Sequence, residues 1–157
     1  GVKPVVTAGI ALLTVALLFF TQVSVGGSYV RDLLPGFLLI GAGLGFSFVP
    51  ISIAALAGVK ASEAGLASGM FNTSQQVGGA LGIAALSAIA TATTSDAIST
   101  GTAQPQALVD GFQSAFIWGA VVAAAGIVVA LVLVRRSELE MPVEEHEEAP
   151  ETVLEAA

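Results

Sequence analysis

Charged residues divide most of the chain into four long uncharged runs, and this spacing limits the folds that the chain can adopt. The charges that bound these runs are Lys3, Arg31, Asp32, Lys60, Glu63, Asp96, Asp110, Arg135 and Arg136. Each run exceeds the ~20 residues that an α-helix needs to cross a ~30 Å hydrocarbon core. The chain is also 55% hydrophobic and only 11% charged, with a mean hydropathy of +0.88 that soluble domains rarely show. The sequence therefore predicts an all-α membrane protein with four transmembrane helices.

The four runs predict helices at about 5–23, 35–57, 64–90 and 112–134, which form one transmembrane region over residues 1–136. Pro35 suits the first turn of the second helix, because the N–H that proline lacks is unpaired there anyway. The segment 91–106 is rich in Thr, Ser, Ala and Gly and predicts a loop. Asp110 is expected to cap the fourth helix.

The basic residues predict the orientation. With four spans Arg31 lies alone on one side, and the other basic residues share the opposite side: Lys3, Lys60, Arg135 and Arg136. The positive-inside rule then places both termini in the cytoplasm and the chain in the cytoplasmic membrane as a multi-pass protein. Residues 137–157 contain eight of the twelve acidic residues and two prolines, which predicts a disordered acidic cytoplasmic tail. The chain begins with Gly1 and a Lys-Pro loop end, so we expect a fragment of a longer protein.

Small and polar side chains form one stripe of the third predicted helix. At 3.6 residues per turn the stripe contains Gly65, Ser68, Gly69, Asn72, Gln76, Gly79 and Ser87, with Gln75 at its edge. An amide without a partner in hydrocarbon costs several kcal/mol, so Asn72 and Gln76 are expected to face other helices or a water-filled cavity. Two roles remain open for Asn72, Gln75 and Gln76: interhelical hydrogen bonding, worth roughly 0.6–2 kcal/mol each, or lining of a substrate path.

The second predicted helix contains Pro50, which removes the hydrogen bond to the carbonyl of Phe46 and predicts a kink. Ser47 and Ser52 flank the kink and are placed to satisfy the freed carbonyl. Kinked helices beside a cavity recur in transporters, so Ser47 and Pro50 are candidates for a substrate path or gate; the alternative is that Pro50 only shapes the helix. Five glycines are expected to allow close helix packing: Gly41, Gly45, Gly65, Gly69 and Gly79.

The residue inventory argues against an enzyme. The chain has no cysteine and one histidine, His146, which lies in the acidic tail. The four spans contain no His, Cys, Asp, Glu, Lys or Arg, so they provide neither a nucleophile–base pair nor a proton carrier within the membrane. We therefore expect no catalytic residue, no metal site, no cofactor and no nucleic acid partner.

Two segments resemble a known family. GAGLGFSFVPISIAALAGVKASEAGLASGMFNTSQQVGGALGIAAL (41–86) and ALVDGFQSAFIWGAVVAAAGIVVALVLVRR (107–136) are similar to the carboxy-terminal part of 14-helix drug:proton antiporters of the EmrB/QacA type, in the major facilitator superfamily. The Ala-Gly-Leu-Ala-Ser-Gly run followed by Asn-Thr-Ser-x-Gln-x-Gly-Gly-x-x-Gly is the most specific part. The chain departs from the family at Gln75, where members often carry Arg.

The resemblance implies that the four spans match the last four helices of such a transporter, with the amino-terminal helices absent. It also implies that the second helix borders the central cavity, the third lies between the two halves of the transporter, and the first and fourth face lipid. Expected partners are the lipid bilayer, the missing amino-terminal helices, a small-molecule substrate and protons.

The sequence thus favours a fragment of a multidrug efflux transporter that exports lipophilic or cationic compounds in exchange for protons. The alternative is a self-contained four-helix membrane protein that acts as an oligomeric structural or accessory subunit. A small stand-alone exporter is a third option, but coupling in such a protein requires a membrane-embedded acid, which the spans lack.

Overall fold

The computed structural model describes residues 2–133, and every regular element in that part of the chain is helical. The helices are α1 (Val2–Phe20), α2 (Leu34–Leu56), α3 (Ala64–Ser99) and α4 (Gln104–Leu133), and a π-helical turn (Tyr29–Leu33) precedes α2. All four are long and apolar enough to cross a membrane, which confirms the predicted fold class. The predicted tail at 137–157 lies outside the described residues.

Glycine allows α1 and α2 to cross at very short range. A Cβ atom added to Gly9 of α1 would lie 2.9 Å from the carbonyl oxygen of Gly43 and would also strike the hydroxyl of Ser47. A Cβ atom added to Gly43 of α2 would in turn lie 2.9 Å from the carbonyl oxygen of Gly9. Real Cβ atoms do not approach backbone oxygens this closely, so the crossing requires glycine at both positions.

An aromatic cluster joins three helices at the far end of α1. The ring of Phe20 is only 3% exposed and lies against Gly36 of α2, where a Cβ atom would be 2.5 Å from the ring. The same ring packs edge-on against Phe37 of α2, with centroids 5.3 Å apart, and tilted against Phe116 of α4, also at 5.3 Å. Aromatic pairs at such separations attract each other beyond the area that they bury, so Phe20 helps to anchor α1 between α2 and α4.

Two side-chain hydrogen bonds fix α4 against α1 at opposite ends. The Nζ of Lys3 donates to the carbonyl oxygen of Leu131 of α4 at 2.6 Å. The Nε2 of Gln113 donates to the carbonyl of Val23 at 2.7 Å, just beyond the end of α1. The first turn of α1 and the part of α4 around Leu131 therefore lie at the same end of the four helices.

Replacing Gln113 by leucine is expected to destabilise the four helices by about 1 kcal/mol, because the half-buried carbonyl of Val23 loses its side-chain donor. Gln106→Leu is the matched control: it removes the exposed bond from Gln106 to Asp110 and should change stability by less than about 0.5 kcal/mol. Thermal unfolding of the detergent-purified protein measures both. Equal shifts in the two variants would contradict a specific role for the Gln113 bond.

The first two helices lie close to their predicted positions. α1 runs from Val2 to Phe20 rather than over 5–23 and is followed by tighter turns, in which the N–H groups of residues 21–23 donate to carbonyls three residues earlier. Gly26, at φ 83°, then reverses the chain in a conformation that favours glycine. α2 runs from Leu34 to Leu56 with Pro35 in its first turn, and it continues past Pro50 to its end.

The last two helices are longer than predicted. Instead of a loop at 91–106, α3 continues to Ser99 and α4 begins at Gln104, which reduces the connection to residues 100–103. Gly111 of α4 packs on α3, where a Cβ atom would lie 2.5 Å from the carbonyl oxygen of Ala90. This packing outweighs the modest helix propensity of the Ser- and Thr-rich segment.

The structure corrects the prediction that Asp110 caps α4. It lies inside α4, where its Oδ1 accepts a hydrogen bond from the Nε2 of Gln106 at 2.7 Å. The predicted role is wrong because α4 begins before it, at Gln104, with Pro105 in the first turn. A proline there is a common feature of helix starts, since its missing N–H would have no partner.

Candidate functional site

The open half of α3, residues 64–83, holds the three amides that the sequence singled out. No side chain of α3 is buried, and in this half all residues are exposed except the half-buried Ala67, Ser68 and Phe71. Asn72, Gln75 and Gln76 are exposed, and their side-chain amides make no hydrogen bond to any residue between 2 and 133. The interhelical bonds proposed for them are therefore not formed inside this four-helix unit.

The geometry of α3 and α4 explains why this half is open. α4 packs on the second half of α3, at Ala90 and Thr94, and a Cβ atom on Gly119 would be 3.6 Å from Leu86. Beyond that point α4 lies along α1, where a Cβ atom on Gly126 would be 3.8 Å from Ile10. α2 has few contacts with α3. The open half of α3 thus extends away from the other three helices.

This exposure has an energetic consequence if α3 crosses a membrane. α3 has 36 residues, so it is about 54 Å long, and its middle lies within a ~30 Å hydrocarbon core. Unpaired amides in that core cost several kcal/mol each, whereas amides that face water or a polar partner do not. Asn72, Gln75 and Gln76 therefore require a water-filled space or a further helix beside them.

Ser47 and Pro50 occupy a different place from the three amides. Ser47 is 5% exposed and lies in the α1–α2 crossing, directly against Gly9. Its hydroxyl has no hydrogen-bond partner among the described residues. Pro50 is half-buried one turn further along α2, and Ser52 donates to the carbonyl of Phe48 at 2.8 Å rather than to that of Phe46. Ser47 therefore faces α1 and not an open surface.

The five glycines that were predicted to allow close helix packing are not the glycines at the observed helix contacts. A Cβ atom on Gly41, Gly45, Gly65, Gly69 or Gly79 would meet no atom of the described residues within 4 Å. Close contacts occur instead at Gly9, Gly36, Gly43 and Gly111. Packing by the first group thus stays a prediction about partners beyond these four helices. Gly65 and Gly69 line a shallow groove of about 470 Å³ along the open half of α3, together with Thr73 and Ser74.

Charged residues among residues 2–133 lie in the connections or within the first or last two turns of the helices, where Asp96 and Asp110 are found. Lys3 lies in the first turn of α1, Arg31 and Asp32 in the π-helical turn, and Lys60 and Glu63 between α2 and α3. No group of three or more His, Cys, Asp or Glu side chains in this part of the chain is arranged to hold a metal ion. The polar surface formed by the three amides in the open half of α3 is therefore uncharged.

Comparison with known proteins gives one informative similarity for this four-helix membrane protein. The puromycin resistance protein pur8 of Streptomyces alboniger is 41% identical over 104 residues, which are 66% of this chain and 20% of that protein. The chain thus spans about a fifth of the length of this relative. No protein-family model matches the sequence, and no solved structure matches it. The chain is similar to part of a drug-resistance protein.

Proposed function

We propose that the chain is the carboxy-terminal four-helix part of a multidrug efflux transporter that exports lipophilic or cationic compounds in exchange for protons. The observation that carries this proposal is the 41% identity to a puromycin resistance protein, in a chain with four helices able to cross a membrane. The motif that begins at Ala64 supports the finer assignment to the EmrB/QacA type of the major facilitator superfamily.

The open half of α3 supports the proposal independently of similarity. Its three unpaired amides suit a helix that borders a water-filled path or packs against further helices. The relative has about five times the length that this chain covers, so we propose that amino-terminal helices provide those neighbours. Alternating access requires two halves of a transporter that move around a shared binding site, and four helices form only part of such a transporter.

In this proposal the chain is not an enzyme, and it lies in the cytoplasmic membrane with both termini in the cytoplasm. Asn72, Gln75 and Gln76 line or gate the substrate path. Proton coupling uses acidic groups outside this chain, because the spans contain no Asp or Glu side chain in their middle. Gln75, where relatives of the proposed type often carry Arg, contributes hydrogen bonding without a positive charge.

Expression of the protein at its native length in puromycin-sensitive bacteria is the test. We expect growth at puromycin concentrations that stop cells carrying the empty vector, with less puromycin retained in the cells. A variant with Asn72, Gln75 and Gln76 all replaced by leucine should lose this protection while the protein still reaches the membrane. Sensitivity equal to the empty vector for the unmodified protein would contradict the proposal and favour the accessory-subunit alternative.

A further inference from the structure

An open polar pocket of about 680 Å³ lies at the turn between α1 and α2, and no residue of α3 lines it. Its lining includes Gln22, Ser24 and Ser28 from the turn and two oppositely charged neighbours, Arg31 and Asp32. Pockets of this volume hold small molecules or the polar part of larger ones. Because a cation and an anion line one pocket, its chemistry suits a ligand that carries both charges.

The two charges do not neutralise each other. Oδ2 of Asp32 accepts a hydrogen bond from the backbone N–H of Ser28 at 2.9 Å, and this carboxylate lies so close to Gly27 that a Cβ atom there would strike it. Within residues 2–133 the guanidinium of Arg31 makes neither an ion pair nor a hydrogen bond, and Oδ1 of Asp32 has no hydrogen-bond partner. The Ser28 bond therefore holds one charge in place and leaves both charges available to a ligand.

The surroundings of the pocket match the surface of a bilayer. The pocket lies where two helices able to cross a membrane are joined. Three large hydrophobic side chains around it are exposed: Val25 is 51% exposed, Tyr29 59% and Val30 65%. Tyrosine is enriched at the level of lipid headgroups, and exposed valines beside it would contact acyl chains. The ligand with the easiest access to this pocket is consequently a phospholipid.

We propose that this pocket binds the headgroup of a zwitterionic phospholipid with a primary ammonium, such as phosphatidylethanolamine. The guanidinium of Arg31 binds the phosphate, because its planar fork of N–H donors matches phosphate oxygens. The free oxygen of Asp32 accepts a hydrogen bond from the ammonium. Phosphatidylcholine, whose quaternary ammonium has no N–H, makes the first contact but not the second. This assignment does not depend on the compound that the protein transports.

Native mass spectrometry of the delipidated protein at its native length tests the proposal. The purified protein is titrated with phosphatidylethanolamine or phosphatidylcholine of identical acyl chains. We expect phosphatidylethanolamine to bind about tenfold more tightly, the ratio that one charge-assisted hydrogen bond provides. Equal affinities for the two lipids would overturn the proposal, and this comparison needs no variant.

Two variants separate the two contacts. Asp32→Asn should remove the preference between the lipids, because the asparagine carbonyl can still accept from Ser28 but carries no charge. Arg31→Gln should weaken both lipids about equally, since both carry phosphate. Lys60→Gln, which removes an exposed cation between α2 and α3, is the control and should change neither affinity. Unchanged binding in Arg31→Gln, or an equal loss in Lys60→Gln, would also overturn the proposal.

Discussion

Replacing Gly43 by alanine is expected to lower stability by about 1–2 kcal/mol, because overpacking at the α1–α2 crossing outweighs the helix propensity that alanine adds. The new Cβ atom would lie 2.9 Å from the carbonyl oxygen of Gly9 and 2.8 Å from the side chain of Leu13. The leucine can move, but the backbone oxygen of α1 cannot move without separating the helices. Thermal unfolding of the detergent-purified protein measures the loss.

Gly126→Ala is the matched control for this variant, because Gly126 also faces α1. Its added Cβ atom would lie 3.8 Å from the side chain of Ile10, an ordinary van der Waals distance. Alanine should therefore fit there and raise stability slightly through its better helix propensity. Equal stability of the Gly43 and Gly126 variants would show that the α1–α2 crossing is looser than described.

Replacing Gly79 by leucine is expected to reduce drug export about tenfold or more, although the described helices offer room for the new side chain. A Cβ atom on Gly79 meets nothing within 4 Å inside residues 2–133. In our proposal the stripe that contains Gly79 meets the remaining helices of the transporter, where a leucine would prevent close packing. Retention of puromycin by cells, measured at matched protein levels in the membrane, gives the result.

Gly78→Leu is the control for this second prediction. Gly78 is the preceding residue of α3, so it lies 100° around the helix, away from the small and polar stripe. Its added Cβ atom also meets nothing within 4 Å of the described chain. Export should survive in this variant. Full export by the Gly79 variant would contradict the packing role, and equal loss in both would contradict the assignment of the stripe as the contact face.

The spacing of charges was sufficient to predict the four helices, because a helix that crosses a membrane must be apolar over a fixed length. The ends of α3 and α4 were not predictable in the same way. Ser and Thr between Thr91 and Ser99 have modest intrinsic helix propensity, so packing on Gly111 decides their conformation. A weak signal was present in Gly101 and Pro105, which fit a helix end and a helix start four residues apart.

The contact glycines illustrate a second limit of the sequence. α2 contains glycines on two faces, and nothing in the chain itself says which face meets α1. Gly36 and Gly43 are seven residues apart and so lie on one face, and this face is the one that receives Phe20 and Gly9. Gly41 and Gly45 lie on another face, which is open in the described helices. A helical wheel shows the faces of one helix, but it does not show which face meets a neighbouring helix.

The candidate site was predictable in composition but not in surroundings. Asn72 and Gln76 stood out because amides are costly in hydrocarbon, and the structure leaves both of them, with Gln75, on an open surface. Ser47 was predicted to line the same substrate path because Pro50 lies nearby. Its hydroxyl lies instead in the α1–α2 crossing. Polarity marks residues that need a partner, whereas only the packing of helices shows which of them lack one.

The most direct test of proton-coupled export is uptake of radiolabelled puromycin into inside-out membrane vesicles that contain the protein at its native length. An acid-interior proton gradient should drive accumulation above that of vesicles without the protein, and a protonophore should abolish it. Accumulation that persists without the gradient would contradict exchange for protons. No accumulation above the control vesicles, with the protein present in the membrane, would contradict a transport function for puromycin.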